Sequence, residues 1–222
     1  MKNIVVIVGI IVLVLILIPQ IMRQVMYKKI MNDLSNKNYD AAQKKLDGFW
    51  CMFTFSPYNR EFLRLNAFMM QGDREKIEAQ FDKMFDQLRM NKKQTYVLAQ
   101  RAFYTYLETG EHEKAAVMLE KCKASGKEGS TKNMQLMYDV MVDHKSNHIE
   151  EVQTRLETLQ QKEDAYSKEA NRVRIGIYEY LIGLQYLNQQ NKKMSRTYFE
   201  KARTHCKNSP YEALVLKGLN SL

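Results

Sequence analysis

Three prolines, nine glycines, three cysteines and a single tryptophan in 222 residues narrow the possible architectures before any motif is sought. So few Pro and Gly leave little punctuation for short strands and tight hairpins, and abundant Leu, Lys, Glu, Gln, Met and Ala favour long helices. Cys51, Cys122 and Cys206 are odd in number, widely spaced and without a CxxC pair, which excludes a disulfide framework or zinc finger pattern. Such usage suits a reducing compartment, each thiol serving as a small buried apolar side chain. Runs of like charge are also missing. The net charge of +9 comes from pairs such as Lys28-Lys29, Lys44-Lys45, Lys92-Lys93 and Lys192-Lys193 mixed with Asp and Glu. A field of that sign attracts nucleic acid, an anionic membrane or an acidic protein alike. Its dispersal reads as a solvated helical face, and nucleic acid is not an expected partner.

Catalytic signatures are equally scarce. His144 and His148 stand four apart beside Asp143 and Glu150, a spacing that places two ligands on one helical face, but they fall where a polar turn is expected. His205 adjoins Cys206, yet neighbours in a helix do not face each other, and no carboxylate is near in sequence to orient the imidazole. The stretch SGKEGS at 125–130 lacks the strand, the helix and the Gly-Lys-Ser/Thr ending of a phosphate cradle, and reads as a turn. The expectation is a protein that is not an enzyme, with no catalytic residue, metal or cofactor.

One long hydrophobic run is present. Residues 4–18 are apolar apart from Gly9, and residues 19–22 extend the run to Arg23. At 1.5 Å per residue this covers roughly 23–29 Å, enough to cross a ~30 Å hydrocarbon core if Lys2 and Arg23 snorkel. No small-residue cleavage site and no lipid-accepting cysteine follow. The run therefore predicts an uncleaved signal anchor, a single transmembrane helix over residues 1–24, contacting the lipid bilayer through residues 4–22. Arg23, Lys28, Lys29 and Lys37 outweigh Lys2, which predicts the N-terminus outside, a cytoplasmic C-terminal domain over 25–222 and residence in the cell membrane.

Beyond the run, apolar residues recur at three- and four-residue steps, as in Phe62, Leu65, Phe68 and Met69, the period of amphipathic helices. A longer period overlies it. Ala42, Ile77, Ala115, Val152 and Ser195 are spaced 35, 38, 37 and 43 apart. Four residues after each comes Leu46, Phe81, Leu119, Leu156 or Phe199; three further on comes Phe49, Met84, Cys122, Leu159 or Ala202. These offsets define one helical face. Five residues before each anchor stands a turn residue, Lys37, Gly72, Gly110, Asn147 or Gln190, and nine before it three units carry Phe68, Tyr106 and Tyr186. Gly183 precedes Tyr186 where a crowded helix crossing admits little side chain. Ser56-Pro57-Tyr58 and Ser209-Pro210-Tyr211 read as N-caps with proline in the first turn, the second opening an amphipathic helix on Tyr211, Leu214, Leu216 and Leu219. The apolar stretch at 49–55 reads as a packed loop closing the first two units, with a membrane-surface or partner contact as the alternative.

ETGEHEKAAVMLEKC at 108–122 and LIGLQYLNQQNKKMSRTYFEKA at 181–202 resemble the turn and second helix, and most of a whole unit, of the tetratricopeptide repeat family. The units around Asp33 and Asp143 depart from it, with aspartate at the aromatic position. The resemblance implies an all-α fold, an α-solenoid of about five helix pairs with a C-terminal capping helix. It also implies a concave groove lined by Asn59, Phe62, Asn66 and Met69, by Arg101, Tyr104 and Glu108, and by Tyr180, Leu184 and Leu187. Apolar and aromatic residues in the last set do not suit a carboxylate clamp; an apolar peptide or amphipathic helix fits better. The alternative is that the register buries these side chains inside the stack. The functional expectation is an adaptor or scaffold holding a protein partner at the cytoplasmic face of the membrane. The alternative is a basic helical domain acting by charge at an anionic membrane surface or on nucleic acid.

Overall fold

The computed structural model describes residues 2–125, 128–161 and 165–222, and within them all side chains except those of 2–14, 128, 130 and 165–168. Gly126 and Lys127 of the SGKEGS stretch lie outside the described residues. Among the described residues the chain forms twelve helices and no strand. In order these are α1 (Lys2–Ser35), α2 (Tyr39–Leu46), α3 (Phe49–Thr54), α4 (Pro57–Gln71), α5 (Arg74–Gln87) and α6 (Lys92–Thr109). They continue as α7 (His112–Lys123), α8 (Glu128–Met141), α9 (Ile149–Gln160), α10 (Ala165–Asn188), α11 (Lys192–Cys206) and α12 (Glu212–Asn220). Two compact units result, Met1–Thr95 and Tyr96–Leu222.

Helices are joined where the turn residues were expected. Lys37, Gly72, Gly110 and Gln190 all take the left-handed conformation, with φ of 58°, 71°, 79° and 60°. Each donates its N–H to the carbonyl three residues back, and the following residue donates to the carbonyl five back, as in Gly72 to Met69 and Asp73 to Phe68. This double bond satisfies the carbonyls that a helix end leaves orphaned. The far acceptors are Asp33, Phe68, Tyr106 and Tyr186, the recurrent position nine before each anchor. Between α8 and α9 the pattern slips: His144, not Asn147, is left-handed at 56°, and Lys145 donates to Asp139.

Fourteen of the fifteen face positions are buried, from Ala42 and Leu46 through Phe81 and Met84 to Phe199 and Ala202. Phe49 is the exception, 66% exposed. Its second helix stops after eight residues at Leu46, and Gly48 in extended conformation starts α3 in a new phase. The expected packed loop at 49–55 is thus a short helix, with Cys51 and Phe55 turned into a core of Ile30, Leu34, Ala42, Leu46, Leu63 and Ala67. At the other end Tyr211, not Ser209, stands at the N-cap of α12; the Ser209 hydroxyl donates to the Cys206 carbonyl and accepts the Tyr211 N–H at 3.3 Å. Helix α12 therefore begins at Glu212, and it buries Val215 and Gly218 behind Tyr211 while Leu216 stays exposed.

The membrane expectations need correction. Among the described residues no helix is long and apolar enough to cross a membrane. The described side chains of α1 begin at Leu15. From there to Arg23 only eight residues rise, about 12 Å against a ~30 Å hydrocarbon core, and Arg23, Lys28, Lys29 and Asp33 follow in the same helix. The apolar run at 4–14 lies outside the described side chains. The transmembrane anchor, the bilayer contact through 4–22, the single-pass cell-membrane placement and the orientation drawn from it are accordingly withdrawn.

In the second unit α10, α11 and α12 meet around Phe199, whose ring is fully buried. A Cβ on Gly183 of α10 would lie 2.6 Å from two ring carbons, and one on Gly218 of α12 would lie 3.0 Å from the same ring. The Ser195 hydroxyl, also buried, donates to the Gly183 carbonyl at 2.9 Å. Helix propensity favours Gly183→Ala by about 1 kcal/mol, but the new methyl meets a rigid ring held on both sides, an overpacking that costs about 1–3 kcal/mol. Gly183→Ala is expected to lower unfolding free energy, read from the urea midpoint. Gln190→Gly is expected to raise it by about 0.5–1 kcal/mol, because the left-handed penalty of about 1–2 kcal/mol exceeds the chain entropy lost to glycine.

Candidate functional site

Helix α4 starts where the Ser56 hydroxyl accepts the Asn59 N–H, with Pro57 in the first turn. That start sets the phase of everything after it. Asn59, Phe62 and Asn66 fall on one face, and with Arg23, Gln24 and Tyr27 of α1, Phe55 and Leu63 they line a cavity of about 410 Å³. Tyr58 stacks on Phe62 with ring centroids 5.6 Å apart. Met69 continues the same face, half-buried, beyond the cavity. Polar groups at Asn59, Asn66, Gln24 and Arg23 surround an aromatic and aliphatic floor, the usual composition of a pocket that orients an apolar group by a few hydrogen bonds.

The opposite side of α4 is held by Glu61, buried to 2%. Its carboxylate accepts from Gln80 Nε2 at 3.0 Å and Lys83 Nζ at 2.9 Å on α5, and Arg64 Nε lies 3.2 Å away. Arg64 also reaches Asp47 at 2.7 Å. Burial pushes the Glu61 carboxyl up, but the donors Gln80 and Lys83 and the positive charges of Arg64 and Lys83 outweigh it, so its pKa is lowered. The network fixes how α4 presents its cavity face.

In the second unit Glu108, Tyr180 and Leu184 come together around a cavity of about 360 Å³. The ends of α6 and α8, with His112 and His144, form one part of its wall, and Leu214, Lys217 and Gly218 of α12 form another. Tyr180 is buried, 5.7 Å from the Phe199 ring, and burial pushes its phenol up to about 12. Burial likewise raises the Glu108 carboxyl, offset in part by a hydrogen bond with the Tyr211 hydroxyl and by Arg101. Tyr104 is half-buried and hydrogen-bonded with Asn133; Arg101 is exposed, Leu187 half-buried, and neither they nor Tyr104 line the cavity.

Some features had no sequence signal. Glu179, buried to 2%, meets His205 Nδ1 at 2.7 Å across 26 residues of sequence. Burial raises the Glu179 carboxyl and His205 lowers it in part. Cys206 is no nucleophile for that pair: its thiol is buried under Gly176 of α10 and pushed up to about 11 by burial. Cys122 is similar, at about 11, and Cys51 is raised as well. His148 caps α9 and lies 3.3 Å from Asp139 and 3.5 Å from Glu151. No metal-holding cluster of three His, Cys, Asp or Glu occurs among the described residues. Arg23 and Tyr27 escaped notice because the sequence assigned α1 to an anchor and its flank.

Comparison with known proteins finds no matching family model, no matching curated protein and no matching solved structure.

Because the Glu61 pKa is lowered from 4.5, the unfolded chain takes up a proton there first as pH falls. The carboxylate therefore stabilises the fold above that pH and loses its contribution below it. Glu61→Gln is expected to lower stability at neutral pH and to flatten the acid limb of a stability-against-pH curve. An unchanged acid limb would remove Glu61 from the set of groups that hold α4.

Proposed function

We propose that this chain is a helical-repeat interaction module, built on tetratricopeptide-like helix pairs, that holds a peptide or amphipathic helix of a protein partner against α1 and α4. The observation that carries the reading is the α1–α4 cavity. It joins Asn59, Phe62 and Asn66, which the family resemblance assigns to a groove, to Arg23 and Tyr27 from a helix far away in sequence. An aromatic and aliphatic floor suits the buried anchor of a partner helix or strand, and the amides suit its backbone. The recurrent turns and the buried small-then-large face support the repeat reading, since each helix pair leaves an apolar face that a neighbour must cover. The reading does not call for catalysis; the three thiols are buried with raised pKa values, Cys206 next to the Glu179–His205 pair among them.

The reading is tested by selecting binders to the purified full chain from a displayed peptide library and measuring their affinity. Phe62→Ala is expected to weaken the selected peptides by at least about tenfold, the size of a lost aromatic anchor. Leu184→Ala, in the other cavity, is expected to leave them unchanged. Failure to enrich any peptide, or equal binding by the Phe62 variant, would sink the proposal.

A further inference from the structure

Helix α3 exposes what a short helix normally hides. Phe49, Trp50, Met52 and Phe53 are 66%, 44%, 54% and 62% exposed, and only Cys51 and then Phe55 turn inward. The exposed rings are mutually ordered: Phe49 lies 5.5 Å from Trp50, edge to face, and 6.0 Å from Phe53, stacked. The helix is also firmly seated. Cys51 is fully buried in the core of the first unit, and the Thr54 hydroxyl donates to the Trp50 carbonyl at 2.6 Å. Contiguous apolar surface of this kind marks a contact site, and it lies in neither cavity described above.

Charge indicates what the contact is. No Lys, Arg, Asp or Glu occurs from 48 to 59; before that span stand Lys44, Lys45 and Asp47, and after it Arg60 and Glu61. The basic last turn of α2, Lys44 and Lys45, is separated from the start of α3 by Leu46, Asp47 and Gly48. Arg60 is near enough to act on the Cys51 thiol. The acids nearby are already engaged, Asp33 with Lys45 and Asp47 with Arg64. Across residues 1–71 nine Lys and Arg face four Asp and Glu. This third of the chain thus carries five of the nine net positive charges. Lys45 and Arg60 are themselves paired, with Asp33 and Glu61, so it is the net excess of the segment that counts: an exposed, uncharged ridge of Phe, Trp and Met in a stretch of net positive charge matches the headgroup layer of an anionic lipid surface. Aromatic rings settle at the boundary between headgroup and acyl chain, and Lys and Arg meet the phosphates.

We propose that α3 is a peripheral docking ridge for a lipid surface bearing anionic headgroups, contacted from outside and to headgroup depth by Phe49, Trp50, Met52 and Phe53. This rests on the first unit alone and is independent of the peptide-binding reading.

Trp50 is the sole tryptophan of the chain, so its fluorescence reports α3 and no other segment. The purified full chain is titrated with vesicles of equal parts phosphatidylserine and phosphatidylcholine, and with phosphatidylcholine alone. Expected on the anionic vesicles are a blue shift of Trp50 emission, protection from acrylamide, and quenching by lipids brominated near the headgroup end of the acyl chain. Lys44→Gln is expected to shift the titration about fivefold, the share of one basic residue near such a surface. Phe49→Ser with Phe53→Ser is expected to abolish the Trp50 response at unchanged helical content. Three results would overturn the proposal. Trp50 could stay open to acrylamide while the protein sediments with vesicles, meaning another segment binds. It could respond equally to neutral vesicles. It could become protected with rising protein concentration and no lipid, meaning a second copy covers the ridge.

Discussion

The second unit depends on one steric constraint, the flat ring of Phe199 held between helices that approach closely because glycine stands at the contact. Gly183 on α10 and Gly218 on α12 each leave room for the ring and for little else. Burying such a ring contributes about 1.5–3 kcal/mol, and the close approach brings the Ser195 hydroxyl onto the Gly183 carbonyl. Two turns away along α10, Gly176 lets the helix settle on Cys206 and His205, which brings His205 within reach of buried Glu179. Tyr180 also follows from this packing: its neighbour is the same Phe199 ring, so it faces the core more than a groove.

The first unit solves the same problem with charge. Glu61 is buried and must be compensated, since an unpaired carboxylate in such surroundings carries a large desolvation cost. Gln80, Lys83 and Arg64 supply the compensation from α5 and α4. The network sets the rotation of α4, and that rotation decides that Asn59, Phe62 and Asn66 face the cavity shared with α1. The apolar side of α4 and the polar side of the cavity are two consequences of one helical phase.

The α3 ridge arises where the repeat pattern is interrupted. The face rule that buries fourteen positions fails at Phe49 because α2 is too short to reach it. The interruption turns α3 outward. In the second unit the chain's own Tyr211 hydrogen-bonds Glu108, one of the residues that line the cavity there.

The local pattern of this protein was legible in its residues. The recurrence of a small residue, a large one four later and another three beyond them predicted buried faces, and the residues five before each anchor were expected in turns, where 37, 72, 110 and 190 are left-handed and 147 is not. These are short-range properties, governed by 3.6 residues per turn and by the hydrogen bonds that close a helix end. Long-range geometry was not legible. The slip to His144, the outward turn of α3, the Glu179–His205 pair and the part played by Arg23 and Tyr27 all depend on where a helix stops or which distant helix lies against it. The membrane anchor was corrected on a different ground, that no helix among the described residues is long and apolar enough to cross a membrane. Periodicity sets which face of a helix is apolar; only tertiary packing decides what covers that face, because covering is a relation between segments that sequence spacing does not encode.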